Sequence, residues 1–132
     1  KKPPIIFEDG LQTRDFVHVK DVVQANIISL KSEANYQIFN VGSGEAVSIL
    51  DLAKLMIRLS GKELAPIVTE KYRVHDTRHF IADISKIKKI GFKPEVKIEN
   101  AMKETMEWVN TQKVEDKFEQ AYMGYEKKKL VR

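Results

Sequence analysis

The stretch FEDGLQTRDFVHVKDVVQAN, from Phe7 to Asn26, decides how this chain is read. Its Glu8-Asp9-Gly10 start is a turn, because Asp-Gly tolerates the left-handed backbone that tight reversals need. Ile5 to Phe7 before it reads as a short strand, and Phe16 to Val19 after it as a second. Together they predict a hairpin with Arg14 and Asp15 near its exit. Asp21 then reads as a helix N-cap, since a short carboxylate can accept from the free amides of a first turn. The helix that follows carries Val22, Val23, Ala25, Ile27, Ile28 and Leu30. Apolar residues lie nearly all round it, so burial on more than one side is expected.

Working outward, Tyr36 to Val41 reads as a buried strand broken by Gly42-Ser43-Gly44. Ser48 with Asp51 resembles a capping box built with the shorter acid. Ile49, Leu52, Ala53, Leu55, Met56 and Leu59 mark the inner face of the helix it opens, and Gly61 ends that helix. Pro66 to Val68 is a short strand, and Lys71 to Arg78 a polar loop. Asp83 is expected to cap a third helix bearing Ile84, Ile87 and Ile90, closed by Gly91. Ile98, Met102, Thr105, Met106 and Val109 form the stripe of a fourth. Val114, Phe118, Ala121, Tyr122 and Tyr125 repeat the helical period in the tail, as a docked amphipathic helix would. Alternating strands and helices give an α/β fold of α+β character, with a small sheet and about four helices.

The chain has 132 residues, 42% hydrophobic and 32% charged, which suits one globular domain rather than a disordered segment. No apolar run approaches the ~20 residues of a membrane helix. The start, Lys1-Lys2-Pro3-Pro4, has neither a signal-peptide pattern nor a methionine, so a beginning within a longer protein is expected. With no cysteine there is no disulfide framework, and a reducing cytoplasm is the expected setting. The net charge of +4 comes from dispersed lysines with one run at Lys127 to Lys129. No aromatic residues interleave with basic ones, so nucleic-acid binding is not expected.

Catalytic sets are sparse. No serine-nucleophile elbow occurs, and Gly42-x-Gly44 lacks the third glycine of a dinucleotide fingerprint. His75 and His79 are four apart, with no third metal ligand in view. The five arginines stand out among many lysines. Arg14, Arg73 and Arg78 lie at strand ends or in loops, where guanidinium forks could grip phosphate. The structural alternative is surface pairing, for instance Arg14 with Asp15 or Arg78 with Asp76.

Several segments together resemble one family. Phe7 to Asn26 is similar to the "DGxQxRDFVxVxDVVxA" signature of extended short-chain dehydrogenase/reductases acting on nucleotide sugars. Phe39 to Gly44 resembles their "YNIGTG", and Ser48 to Ala53 their "SVLELA". Arg73 to Lys86 resembles "RPGDxRxxxADxSKA", and Gly91 to Pro94 with the Trp108 helix resembles their closing segment. The resemblance implies that Arg14 and Arg73 hold the nucleotide diphosphate. It further implies that Asp76 contacts the ribose and that Phe80 flanks the sugar pocket. Where the family usually has Gly before this Asp, the chain has His75. Asp15, Asp21 and Asp83 fall on patterned positions read as structural caps or strand-end anchors.

The resemblance implies an NAD-dependent nucleotide-sugar epimerase, working at C4 through a keto intermediate, or a 4,6-dehydratase. Residues 1–112 would be its C-terminal substrate-binding portion, and 113–132 a Lys-rich helical tail. Its N-terminal Rossmann domain, with the glycine loop for NAD and the catalytic Tyr-x-x-x-Lys pair, would lie outside the chain. Tyr125 with Lys129 fits that spacing formally, but it falls in the tail beyond the resemblance and is read as chance. The chain alone would then bind a nucleotide-diphosphate sugar without turning it over. Exposed apolar surface would favour a homodimer or a swapped oligomer. A free-standing binding or assembly module is the alternative.

Overall fold

β-Branched residues build the first short pairing: β1 (Ile5–Ile6) lies parallel to β4 (Ile67–Val68), with Ile5 opposite Ile67. The computed structural model describes residues 2–113 and 115–131. A second sheet holds β2 (Thr13–Arg14) in the middle. Its neighbours are β3 (Val47–Ser48), which is antiparallel, and β5 (His79–Phe80), which is parallel. The helices are α1 (Val19–Lys31), α2 (Ile49–Ser60), α3 (Ser85–Lys88), α4 (Ile98–Asn110) and α5 (Phe118–Lys127). This is the expected small α/β arrangement with four helices and a helical tail. Val114 of the tail stripe lies outside the described residues.

The expected hairpin does not form. The second strand is at Thr13–Arg14 rather than Phe16 to Val19, and it never pairs with β1. The start of α2 comes between them: Leu50 N–H donates to Gly10 C=O at 2.9 Å and Ile49 N–H to Gln12 C=O at 3.0 Å. Gly10 has φ +79°, and a Cβ there would stand 2.9 Å from Leu50 Cβ, so this approach requires glycine. Gln12 is buried and donates from Nε2 to Phe7 C=O, tying the diverging strands together.

Phe16 to His18 instead lead into α1, whose N-cap is His18, not Asp21. His18 Nδ1 accepts from Lys20 N–H. Asp21, one turn inside, is buried and points across the molecule, accepting from the N–H groups of Glu95 and Val96 at 3.0 and 3.2 Å. It therefore fastens the extended entry of α4 onto α1. Within this chain α1 is buried on one side only, at Asp21 and Ala25, while Val19, Val23, Ile27 and Leu30 are exposed.

Tyr36 to Val41 is not a strand. Tyr36 has φ +58° and Ile38 is 86% exposed. The Ile38 carbonyl goes to Lys86 Nζ rather than to a neighbouring strand. Phe39 and Val41 still pack against the core of Ala25, Ile84, Ile87 and Phe92. The ends of α2 follow the sequence, whereas α3 is shorter than expected, with Ile84 rather than Asp83 at its N-cap and its last residue Lys88, short of Gly91. Ser48 Oγ accepts from Asp51 N–H at 3.0 Å, and Gly61 closes α2 in the left-handed region. Asp83 accepts from Ser85 N–H at the start of α3.

Candidate functional site

Arg14 is the last residue of β2, and β5 brings Phe80 directly opposite it. Paired residues of neighbouring strands project from the same face of a sheet, so the two share one side. The Arg14 guanidinium is braced by the carbonyls of Thr13 and Arg78, at 2.8 and 3.1 Å. Its second amino group reaches Asp76 Oδ1 at 2.8 Å. Arg73 donates to the other oxygen, Asp76 Oδ2, also at 2.8 Å. One carboxylate thus draws together two guanidinium groups from segments 59 residues apart in sequence, at positions 14 and 73. Asp76 itself sits in a turn in which its N–H donates to Arg73 C=O.

His75, where a glycine was expected, has φ +67°. The loop keeps the left-handed backbone that glycine adopts freely, and a residue with a side chain is strained into it. The loop and the Glu8–Asp9 turn enclose an open cleft of about 670 Å³ lined by Tyr72, Arg73, Asp76 and Arg78 among others.

Arg78 pairs differently from the surface alternative read in the sequence. It reaches Glu8 Oε2 at 2.6 Å and Asp9 Oδ2 at 2.7 Å, and not Asp76. Its bond to Asp9 holds the Asp9 carboxyl below the usual carboxylate range. Arg78 therefore pins the β1–β2 turn to the strand carrying Phe80, while its backbone carbonyl braces Arg14. The family resemblance gave Arg78 no role. The signal would have been its position one residue before β5.

Asp15 does not pair with Arg14 either. Its Oδ1 accepts from the N–H and hydroxyl of Ser43, at 2.7 and 2.6 Å. Its Oδ2 accepts from the N–H groups of Gly44 and Ala82, at 3.0 and 3.2 Å. Burial pushes this carboxyl up, but the four donors outweigh it and hold it below the usual range. Gly42 is needed here because a Cβ would lie 2.4 Å from Asp15 Oδ2. The amides of Ser43 and Gly44 in this turn are thus engaged by an internal carboxylate.

Phe80 is 63% exposed, beside Arg14 and outside the Arg14–Asp76–Arg73 cluster. His79 Nδ1 and the Thr13 hydroxyl share a hydrogen bond of 2.9 Å. Among the described residues no group of three metal-ligating side chains converges, and no helix is long and apolar enough to cross a membrane.

Two arginine forks, one at a strand end and one in a loop, are thus set side by side by a shared acid. The family model of GDP-mannose 4,6 dehydratase matches residues 1–105. UDP-glucuronate 4-epimerase of Thermodesulfobacterium geofontis is 37% identical over 110 residues, covering 82% of this chain and 33% of that protein. Among solved structures, the UDP-N-acetylglucosamine 4-epimerase of Methanobrevibacter ruminantium, in complex with UDP-N-acetylmuramic acid, superimposes with a TM-score of 0.77 at 34% identity. That match covers 85% of this chain and 36% of the other. The UDP-glucuronic acid 4-epimerase of Bacillus cereus, in complex with UDP-glucuronic acid and NAD, gives 0.74 at 28% identity, covering 83% and 35%. The chain belongs to this family of NAD-dependent nucleotide-sugar epimerases and dehydratases, the extended short-chain dehydrogenase/reductases. It spans about a third of the length of the curated relatives it matches.

Proposed function

We propose that this chain is the C-terminal, nucleotide-diphosphate-sugar-binding portion of an NAD-dependent sugar 4-epimerase, working in the cytoplasm. The observation that carries the reading is the convergence of Arg14 and Arg73 on Asp76, each at 2.8 Å. Each guanidinium has five N–H donors; Asp76 takes one from each, and the Thr13 and Arg78 carbonyls are served by one further amino group of Arg14. The remaining donors face a diphosphate as a bidentate pair, fixing its position as well as its charge. Asp76 keeps lone pairs for a ribose hydroxyl, and Phe80 offers an apolar wall beside Arg14 for the sugar.

The chain's own residues bind and orient; none is assigned to moving the hydride or the C4 proton. When bound, NAD would supply the oxidation at C4 and the return of the hydride. Both belong to the Rossmann domain that would complete the enzyme. A 4,6-dehydratase shares the same first oxidation and so the same substrate site. The epimerase reading is favoured because the curated relative and solved structures above are 4-epimerases.

The test is calorimetric titration of the chain with UDP, dTDP and GDP. One of the three binds, and Arg14→Ala and Arg73→Ala each weaken it by at least about tenfold, the loss of one charge-assisted bidentate contact. Absence of binding by all three overturns the reading. Epimerisation by this chain with NAD and a nucleotide sugar would overturn the assignment of catalysis to the other domain.

A further inference from the structure

The segment beyond residue 113 lies outside the 105 residues matched by the family model, yet it is seated on the loop that carries Arg73 and Asp76. Ring stacking, side-chain hydrogen bonds and backbone pairing attach it. Tyr122 of α5 stacks on Phe7 at a centroid distance of 6.2 Å and on Phe118 at 5.8 Å. Lys71, at the foot of the loop, donates to the Tyr122 hydroxyl at 2.7 Å and to Glu126 at 3.3 Å. Past α5, the Leu130 carbonyl accepts from Val74 N–H at 2.9 Å, and Val131 forms an antiparallel bridge with Arg73.

These attachments converge on Arg73. Its backbone is bridged by Val131, its guanidinium lies 5.8 Å from the centroid of the Phe7 ring that Tyr122 covers, and its side chain holds Asp76. Tyr125 and Leu130 of the tail also wall a cavity of about 250 Å³ shared with Arg73, Val74, His75 and Asp76. The ends of the loop are anchored by Glu8 N–H on the Lys71 carbonyl and by Thr13 N–H on that of Arg78, but between them the only other tie to the rest of the fold among the described residues is Arg14 on Asp76. His75 takes a strained backbone and most of the segment is exposed. An eight-residue polar loop of this kind samples many conformations unless tied along its length, and only some present both guanidinium groups together.

We propose that residues 115–131 are a strap that positions the Lys71–Arg78 loop, holding Arg73 and Asp76 in register with Arg14 for the nucleotide diphosphate. The strap acts through Arg73 and does not itself touch the phosphates. This rests on the binding role proposed above. Tyr122 and Leu130 are its positioning residues, through stacking on Phe7 and through the backbone bond to Val74.

The test compares the whole chain with a truncation ending at Gln112 and with Tyr122→Ala and Tyr122→Phe, which keep full length. Amide hydrogen exchange is followed at Val74. Affinity is measured for the nucleoside diphosphate that binds the whole chain and for its monophosphate. Truncation and Tyr122→Ala speed exchange at Val74 and weaken the diphosphate about tenfold, as when the competent loop falls to roughly a tenth of the population. The monophosphate, which cannot span both arginines, weakens less than about twofold, a split that general loss of folding would not give. Tyr122→Phe keeps both stacks and restores most of the affinity. Unchanged exchange at Val74, or equal weakening of both nucleotides, overturns the strap. If Arg14→Ala abolishes binding while truncation leaves it intact, the strap fails and the binding site stands. If the whole chain binds no nucleoside diphosphate, the binding role fails first, and the strap's role in it fails with it.

Discussion

Replacing Asp15 by alanine removes one carboxylate that serves four donors drawn from the 42–44 turn and from Ala82, just after β5. The Ser43 hydroxyl can rotate to water at little cost. The N–H groups of Ser43, Gly44 and Ala82 cannot rotate, and each loses a bond to a charged acceptor, a type worth about 1.5–3 kcal/mol. The site is only part-buried, so water recovers some of this, leaving about 1 kcal/mol per amide and a loss of about 3 kcal/mol in all. At about 2.1 cal/mol/K of unfolding entropy per residue, the 132-residue chain should lose about 10 °C in melting temperature. Asp15→Asn should lose less, about half as much, because the amide keeps one acceptor oxygen. The pH dependence separates a charge effect from packing. The folded carboxyl titrates below its unfolded value, so its contribution is present above an unfolded pKa of about 3.9 and fades as pH falls through the folded one. Urea denaturation of both proteins between pH 7 and pH 3 should therefore show their difference shrinking below about pH 4. A deficit under about 0.5 kcal/mol at pH 7, within the range of ordinary surface substitutions, would refute the reasoning. So would a deficit that stays constant down to pH 3.

Asp21→Ala should destabilise by about 2–3 kcal/mol, since it strips a buried acceptor from the amides of Glu95 and Val96 and loosens α4 from α1. Denaturant melts read the loss, and exchange at those two amides should rise with it. His75→Gly should stabilise by up to about 1 kcal/mol, because glycine adopts the observed φ of +67° without strain. Nucleotide affinity should be retained, and a melting temperature that falls would show that the His75 side chain contributes contacts of its own. The exposed row of Val19, Val23, Ile27 and Leu30 on α1 should make the chain self-associate, and light scattering at high protein concentration should find dimers or larger species. A clean monomer counts against that.

What could be read from the sequence was local. Ser48 capping Asp51, Gly61 ending α2 and the Ile98 to Val109 stripe depend on neighbours within a turn or two, and the structure places all three as expected. What could not be read was long-range. Thr13–Arg14 becomes a strand only because Val47–Ser48 and His79–Phe80 flank it, and no alternation over two residues announces that. Asp21 and His18 compete for one N-cap. The partner that wins Asp21 sits 74 residues away at Glu95, so the imidazole takes the cap. Tyr36 to Val41 has strand-like composition, yet its neighbours among the described residues leave it no ladder to join. Family resemblance named Arg14, Arg73 and Asp76, but the surface pairings imagined for Arg14 and Arg78 were wrong. Sequence neighbours such as Asp15 and Asp76 were taken up by backbone amides and by the other arginines.

The cluster's charge balance explains why the acids and arginines are arranged as they are. Exposed ion pairs of this kind add little to stability, so stability is a poor reason for tying Asp76 to two guanidinium groups. Without an acid between them, Arg14 and Arg73 would repel and splay into solvent when no ligand is bound. Asp76 holds them about one carboxylate apart, at 2.8 Å on either side, which is also close to the spacing at which a phosphate oxygen would be gripped. Arg78 is engaged instead by Glu8 and Asp9, so it stiffens the frame around the other two. On the binding role proposed above, a diphosphate arriving at this face would find donors already oriented and partly desolvated, with the ordering cost of two long side chains met during folding.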